Sequence, residues 1–419
     1  MSANPSFGEA TRVFLRIGLL SFGGPAAQIA LMHRELVDAR KWLTEQQYLA
    51  ALSFCMLLPG PEAMQLATYA GWKLHGTKGG LMAGLLFVLP GAAVVLALSA
   101  AYAAYGNLPL MQALFLGVQA TVVVIVIEAL LRVSRRALKR QSHWVIAALA
   151  FLGIFLLQIP FPVIIIAAGL YGYAISGGAN TVPPPRQPAR TMQTLVVWLA
   201  IWLVPLAALW LLEGGLLTQI GWFFSKLAVV TFGGAYAVLA DMTQEVVQQF
   251  GWLTTDQMMD GLGLAETTPG PLILVTGFVG YLAAYRSGGH GLGLAAALVT
   301  LWMTFAPCFL WIFVGAPYLE WIASRPRLTG ALSAITAAVV GVILNLSLWF
   351  AVHVFFAEVG EWSAGPLHLI APRLSSLQPV AVALGLLAAW LILRRHWGLP
   401  QMLALSAALA VAAGTLGWV

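Results

Sequence analysis

Residues 51–65, ALSFCMLLPGPEAMQ, set Pro59-Gly60-Pro61 in the middle of an apolar stretch that is otherwise suited to a helix. Residues 261–275, GLGLAETTPGPLILV, do the same with Pro269-Gly270-Pro271, 210 positions later. The same offset relates Ser21-Phe22-Gly23-Gly24 to Thr231-Phe232-Gly233-Gly234, and Trp42-Leu43-Thr44 to Trp252-Leu253-Thr254. Residues 14–90 and 224–307 are therefore one pattern written twice. Matching Gly/Pro-broken apolar segments in two halves of a chain point to a transporter binding site.

Composition sets the class. Of 419 residues, 60% are apolar and 9% charged, and the mean hydropathy is +0.88. Soluble domains carry about 25% charged residues, so a soluble globular protein is excluded. Apolar runs near the ~20 residues that cross a bilayer recur along the chain. The N-terminus, MSANPSFGEATRVF, lacks a basic region before a short apolar core, so no cleaved signal peptide is expected. The abundant Trp and Tyr suit interfacial belts. Cys55 and Cys308 both lie in apolar segments, which argues against a disulfide framework or a metal cluster. The net charge of +6 belongs to cytoplasmic loops and does not indicate nucleic-acid binding. There is no HExxH, GxSxG or Walker-type motif and no Cys/His cluster, so no enzyme, cofactor or metal is expected. Active transport would have to run on an ion gradient or the membrane potential.

The reading is an all-α polytopic membrane protein with about 13 transmembrane segments in two homologous, inverted repeats. The first repeat, 1–176, holds segments at 12–32, 47–72, 79–104, 109–131, 143–158 and 160–176. A linker, 177–193, runs through Pro183-Pro184-Pro185-Arg186-Gln187-Pro188; such a composition is stiff and extended. One connecting helix, 194–212, precedes the second repeat, 213–419, with segments at 219–241, 257–283, 291–316, 328–356, 376–394 and 399–418. An odd number of crossings between the starts of the repeats turns the second upside down. The densest basic loop, Arg132–Arg140, is placed in the cytoplasm by the positive-inside rule. The N-terminus is then inside and the C-terminus outside. Arg34, Arg40 and Lys41 would fall outside, against the rule. The first two segments of each half are therefore expected to be broken or re-entrant.

Pro61 fits a first helical position. Each Pro-Gly-Pro is expected to separate two half-helices, the second starting with free N–H groups and a partial positive charge. Such an end is an anion site. Thr267 and Thr268 precede the second break as hydroxyl donors. Ser21-Phe22-Gly23-Gly24 and Thr231-Phe232-Gly233-Gly234 form a second pair of breaks, serving close packing, site lining or both. Arg16 and Lys226, each five residues before these motifs, are candidates to balance an oxyanion; snorkelling is the alternative. Glu128 and Glu266 are candidate proton carriers, with a local Glu128–Arg132 pair as the plainer reading. Glu62 reads as a first-turn acid. Glu35 and Glu245 match across the repeats in loops, where capping or pairing suffices.

With these motifs in place, the chain resembles the chromate ion transporters of the CHR superfamily in their long, two-domain form. The resemblance rests on Phe22-Gly23-Gly24-Pro25, Arg34-Glu35, Trp42-Leu43-Thr44 and Leu58-Pro59-Gly60-Pro61 with Gln65, Tyr69 and Gly71. The second half matches through Phe232-Gly233-Gly234, Trp252-Leu253-Thr254 and Thr268-Pro269-Gly270-Pro271. The resemblance implies a multi-pass protein of the cell inner membrane that exports chromate and confers chromate resistance, with sulfate as a related oxyanion; a homodimer is compatible with it. The second repeat departs at Gln244 and Ala235, where the first has Arg34 and Pro25, so the halves are expected to differ in role. The rival readings are an oxyanion channel and a non-transporting scaffold or lipid-handling protein of the bilayer.

Overall fold

The computed structural model describes residues 5–417 except 23, 107, 178–187, 213, 231, 233, 234, 324 and 366. Gly23, Thr231, Gly233 and Gly234 of the paired motifs, and Pro183 to Gln187 of the linker, lie outside the described residues. The described chain is helical apart from one antiparallel hairpin, Val359–Ala364 with Leu367–Pro372. Among the described residues, five helices are long and apolar enough to cross a membrane: Glu62–Tyr105, Pro109–Ala137, Arg190–Leu212, Leu272–Tyr318 and Pro326–Phe355. Shorter apolar helices span Gln141–Leu157, Phe161–Ile175, Leu216–Val230, Pro379–Arg394 and Leu399–Thr415.

Four expected segments are not single helices. The stretch 12–32 is divided between helices Phe7–Leu20 and Gly24–His33. The stretch 47–72 is divided between Glu45–Cys55 and the start of Glu62–Tyr105. In the second half, 219–241 is split into Leu216–Val230 and Ala235–Thr243. The stretch 257–283 is split into Thr255–Thr267 and a 3-10 turn, Leu272–Leu274, that opens Val275–Gly315. The expected linker is also shorter, because helix Pro188–Leu212 begins inside 177–193; proline is well suited to a first helical turn.

The repetition seen in the sequence extends to local conformation. A π-helical turn at Arg34–Ala39 recurs at Gln244–Gln249. Thr44 and Gln47 exchange side-chain and backbone hydrogen bonds in a capping box, and Thr254 and Gln257 do the same. The Trp-Leu-Thr motif is thus a helix start. Both long helices reverse at a non-helical pair, His75-Gly76 and Gly288-Gly289, so each is two helices joined by a tight turn.

The chain divides into two compact units. The first comprises Met1–Ala100, Ser176–Ala235 and Thr268–Thr329. Its helices meet through glycines: Gly18 lies on the Leu86 backbone carbonyl, and Gly71 faces Gly79 across the His75-Gly76 turn. Small residues allow such backbone approach where no hydrophobic force separates helix from lipid. At the end of helix Gly24–His33, the His33 ring meets Glu45 at 2.6 Å and Asp38 at 3.2 Å. The Glu45 carboxylate holds that imidazole's pKa above its ordinary value.

The second unit comprises Ala101–Ile175, Tyr236–Thr267 and Gly330–Val419. Helix Pro109–Ala137 is its centre, packed by Leu399–Thr415, Pro379–Ala389 and Thr255–Thr267. Gly117 lies on the Ser406 carbonyl, and Thr121 bonds the Ser406 hydroxyl at 2.8 Å.

Candidate functional site

Both Pro-Gly-Pro breaks lie in the first unit and all six of their residues are buried. Gly60 has φ +113° and Gly270 has φ +91°, conformations that only glycine adopts without strain. A Cβ on Gly60 would lie 2.9 Å from both Cys308 Sγ and Gln65 Nε2. A Cβ on Gly270 would lie 3.0 Å from Leu274 and 3.4 Å from the Phe87 carbonyl oxygen, and Gly91 rests on the Pro269 carbonyl. Each break is thus seated on the long helix of the other repeat. The seats correspond: Gly91 and Cys308 each follow the matched prolines Pro90 and Pro307.

The first half-helix after a break starts at Glu62, directly after Pro61. Gln65 is the first residue to bond back, its N–H reaching the Pro61 carbonyl at 3.1 Å. The amides of Ala63 and Met64 therefore have no intrahelical acceptor. At the second break Pro271 caps the 3-10 turn, and Leu274 bonds the Pro271 carbonyl at 2.9 Å. Two buried helix ends with partial positive charge can accept an oxyanion.

Two glutamines brace the breaks. Gln65 Nε2 donates to the Pro59 carbonyl at 2.7 Å. Gln28 Nε2 donates to the Gly270 carbonyl at 2.6 Å and, at 3.4 Å, to that of Ser21. The Gly270 N–H bonds the Ser21 carbonyl at 2.8 Å, so the end of the first half-helix of repeat one is tied to the second Pro-Gly-Pro. The Oε1 atoms of both glutamines are buried with no partner among the described residues. Gln65 entered the sequence reading only through the resemblance, and Gln28 did not enter it. A lone amide in the apolar run Gly24–His33 was the available signal.

The other expected residues are placed as follows. Ser21 is buried and donates its hydroxyl to the Ile17 carbonyl at 2.6 Å. Phe22 is exposed, and Gly24 is buried with φ +76°. Thr267 is exposed and donates to the Leu264 carbonyl at 2.7 Å, so its hydroxyl closes its own helix; Thr268 is buried. The Arg16 side chain is 61% exposed and 3.9 Å from Glu35, which is held chiefly by Arg40. Lys226 is exposed, with its ammonium 5.9 Å from the Phe223 ring centre. The breaks are buried and both cations are exposed.

The second unit gathers the acids. Glu128 pairs with Arg132 at 2.6 Å, the local pair that their spacing suggested. Glu266 is buried and accepts from Tyr236 Oη at 2.8 Å. Six residues earlier on the same helix, Asp260 is buried too. It accepts from Tyr102 Oη at 2.6 Å and from Gln119 Nε2 at 2.7 Å. The sequence reading passed over Asp260, whose partners are 158 and 141 positions away.

Broken apolar helices with buried N-terminal ends are the form of a membrane transporter. The chain belongs to the chromate transporter family, whose pattern matches residues 8–173 and 218–418. It is 34% identical over 399 residues to the chromate transport protein of Pseudomonas aeruginosa, covering 90% of this chain and 91% of that one. It is 33% identical over 340 residues to that of Cupriavidus metallidurans, covering 79% of each. A probable chromate transport protein of Synechococcus elongatus is 32% identical over 342 residues, 81% of this chain and 83% of that one. No solved structure matches the chain.

Proposed function

We propose that the chain is a secondary transporter that carries chromate out of the cytoplasm across the inner membrane, driven by an ion gradient or the membrane potential, and so confers chromate resistance. The observation that carries this reading is the exchange of seats between the two Pro-Gly-Pro breaks, Gly60 on Cys308 and Gly270 beside Gly91. The substrate class comes from relatives named for chromate transport. In this reading the half-helix amides after Pro61 and Pro271, with Thr268, bind the anion's oxygens. Ser21 and Gly24 of the first Phe-Gly-Gly break line the site, and Arg16 and Lys226 draw in the dianion through their field. Sulfate, another tetrahedral dianion, competes. Chromate uptake into everted vesicles, with and without a proton gradient, tests it. Gradient-driven accumulation is expected. Passive equilibration would instead identify a channel, and no flux a scaffold.

The two repeats, 1–176 and 213–419, are in this reading inverted about the linker 177–193 and the connecting helix 194–212. The first two segments of each repeat re-enter the membrane rather than cross it. Two observations support this. Helix Glu45–Cys55 packs on Leu319–Ala323, beside the basic Arg325 and Arg327. Thr243, Gln244, Val247, Gln248 and Thr255 line a common cavity with Gln158 and the hairpin. Re-entry removes two crossings per repeat and leaves all later orientations unchanged. It also returns Arg34, Arg40 and Lys41 to the cytoplasm, as the positive-inside rule requires. A reporter fused after Lys41 is expected to read cytoplasmic, as is one after Arg140; a periplasmic reading at Lys41 restores simple spans.

A further inference from the structure

The second unit carries a cavity of about 200 Å³ to which the reading above gives no ligand. Six polar side chains line it: Gln158, Thr243, Gln244, Gln248, Thr255 and Asn345. Among the described residues none of the six side chains has a hydrogen-bond partner, and the Thr243 hydroxyl is fully buried in that state. Buried polar groups in native proteins are almost always paired, so the unmet Thr243 hydroxyl in this wall points to a ligand; Gln244, Thr255 and Asn345 are half-buried around it, and Gln158 and Gln248 are exposed at its mouth. The remaining wall is apolar, with Trp349 and, from the hairpin, Leu369 and Ile370, except for His353, whose Nδ1 lies 2.8 Å from the Trp349 carbonyl oxygen.

The repeat register shows what is special about this set. At the 210-residue offset, Thr243, Gln244, Gln248 and Thr255 stand where the first repeat has His33, Arg34, Asp38 and Glu45. At the offset that relates Pro90 to Pro307, Asn345 stands where the first repeat has Glu128. Each of these five ionisable positions has become a neutral donor; His353, which stands where the first repeat has Arg136, is the ionisable side chain kept in the wall. We propose that this cavity is a second oxyanion site, the outer vestibule through which the transported anion leaves. The proposal takes its substrate and direction from the transport reading. Amide N–H and hydroxyl groups coordinate an oxyanion without a counter-charge, and no carboxylate in the wall repels it. Neutral hydrogen bonds are about half as strong as charge-assisted ones, so the anion is held weakly and released. A water occupies about 30 Å³ in the liquid, so the space admits a tetrahedral oxyanion with part of its hydration shell. Gln158 follows helix Gln141–Leu157, at the end away from the basic loop Arg132–Arg140, which places the vestibule on the outer side.

Equilibrium dialysis of the purified full-length protein against chromate, read by absorbance, tests this. The wild type is expected to bind two chromates per chain, one more weakly by at least about tenfold. Thr243→Val and Asn345→Leu are each expected to remove the weak site and keep the tight one. Gln244→Arg, which restores the first-repeat residue, is expected to tighten the weak site by about tenfold and to slow export. One chromate per wild-type chain, or a weak site unmoved by all three substitutions in monodisperse protein, overturns the proposal. Failure of the break-site reading looks different: the tight site would survive Gly60→Ala/Pro61→Ala, while the weak one would still be lost in Asn345→Leu.

Discussion

Gly60→Ala/Pro61→Ala is expected to eliminate chromate binding in protein that still inserts. Gly60 sits at φ +113° and has no room for a Cβ beside Cys308 and Gln65, so alanine there forces the break to rearrange. Without Pro61 the helix can extend backwards, and the amides that now end at Ala63 and Met64 bond internally. Each lost charge-assisted hydrogen bond is worth roughly 1.5–3 kcal/mol, so losing two weakens binding by about two to four powers of ten. Pro61→Ala alone keeps Gly60 and is expected to show a smaller loss of the same kind. Isothermal titration of purified protein with chromate reads both. Wild-type affinity in the double variant would falsify the half-helix site and leave the breaks as plain kinks.

Glu266→Gln is expected to uncouple transport. The substitution keeps an acceptor oxygen for the Tyr236 hydroxyl, now 2.8 Å from the carboxylate, so the fold loses little. It removes the proton that an intramembrane carboxylate can carry. Gradient-driven chromate accumulation in everted vesicles should fall to the passive level while chromate affinity stays near that of the wild type. Glu128→Gln breaks only a half-exposed i,i+4 pair with Arg132, which is worth about 0.3–0.5 kcal/mol, and is expected to leave accumulation largely intact. If Glu266→Gln accumulates normally and Glu128→Gln does not, the carrier is Glu128.

What was legible in the sequence is what depends on local chemistry. Proline cannot donate within a helix and glycine alone tolerates positive φ, so the breaks at Pro59-Gly60-Pro61 and Pro269-Gly270-Pro271 could be read directly. The Thr44–Gln47 box had its signature too, although Trp42-Leu43-Thr44 reads first as a repeat marker. What was not legible depends on neighbours distant in sequence. No periodicity pairs Gly60 with Cys308, Gln28 with Gly270, or Asp260 with Tyr102 and Gln119. Hydropathy set Lys226 inside an apolar run and Arg16 near a helix start, but it is blind to which flank of a helix faces outward, and both are exposed. The hairpin at Val359–Pro372 was masked by the run of apolar helices on either side of it.

The crossed seating of the breaks also governs the order of events during synthesis. Gly60 leaves the ribosome about 250 residues before Cys308, its seat. At roughly 5–20 residues per second, that delay lasts about 12–50 s. For that time the first repeat waits in the bilayer with a broken helix whose polar ends face nothing that belongs to them. The second break has no such wait, because Phe87 and Gly91 are already in place when Gly270 arrives. The two halves share a pattern, but only the second is born with its partner present.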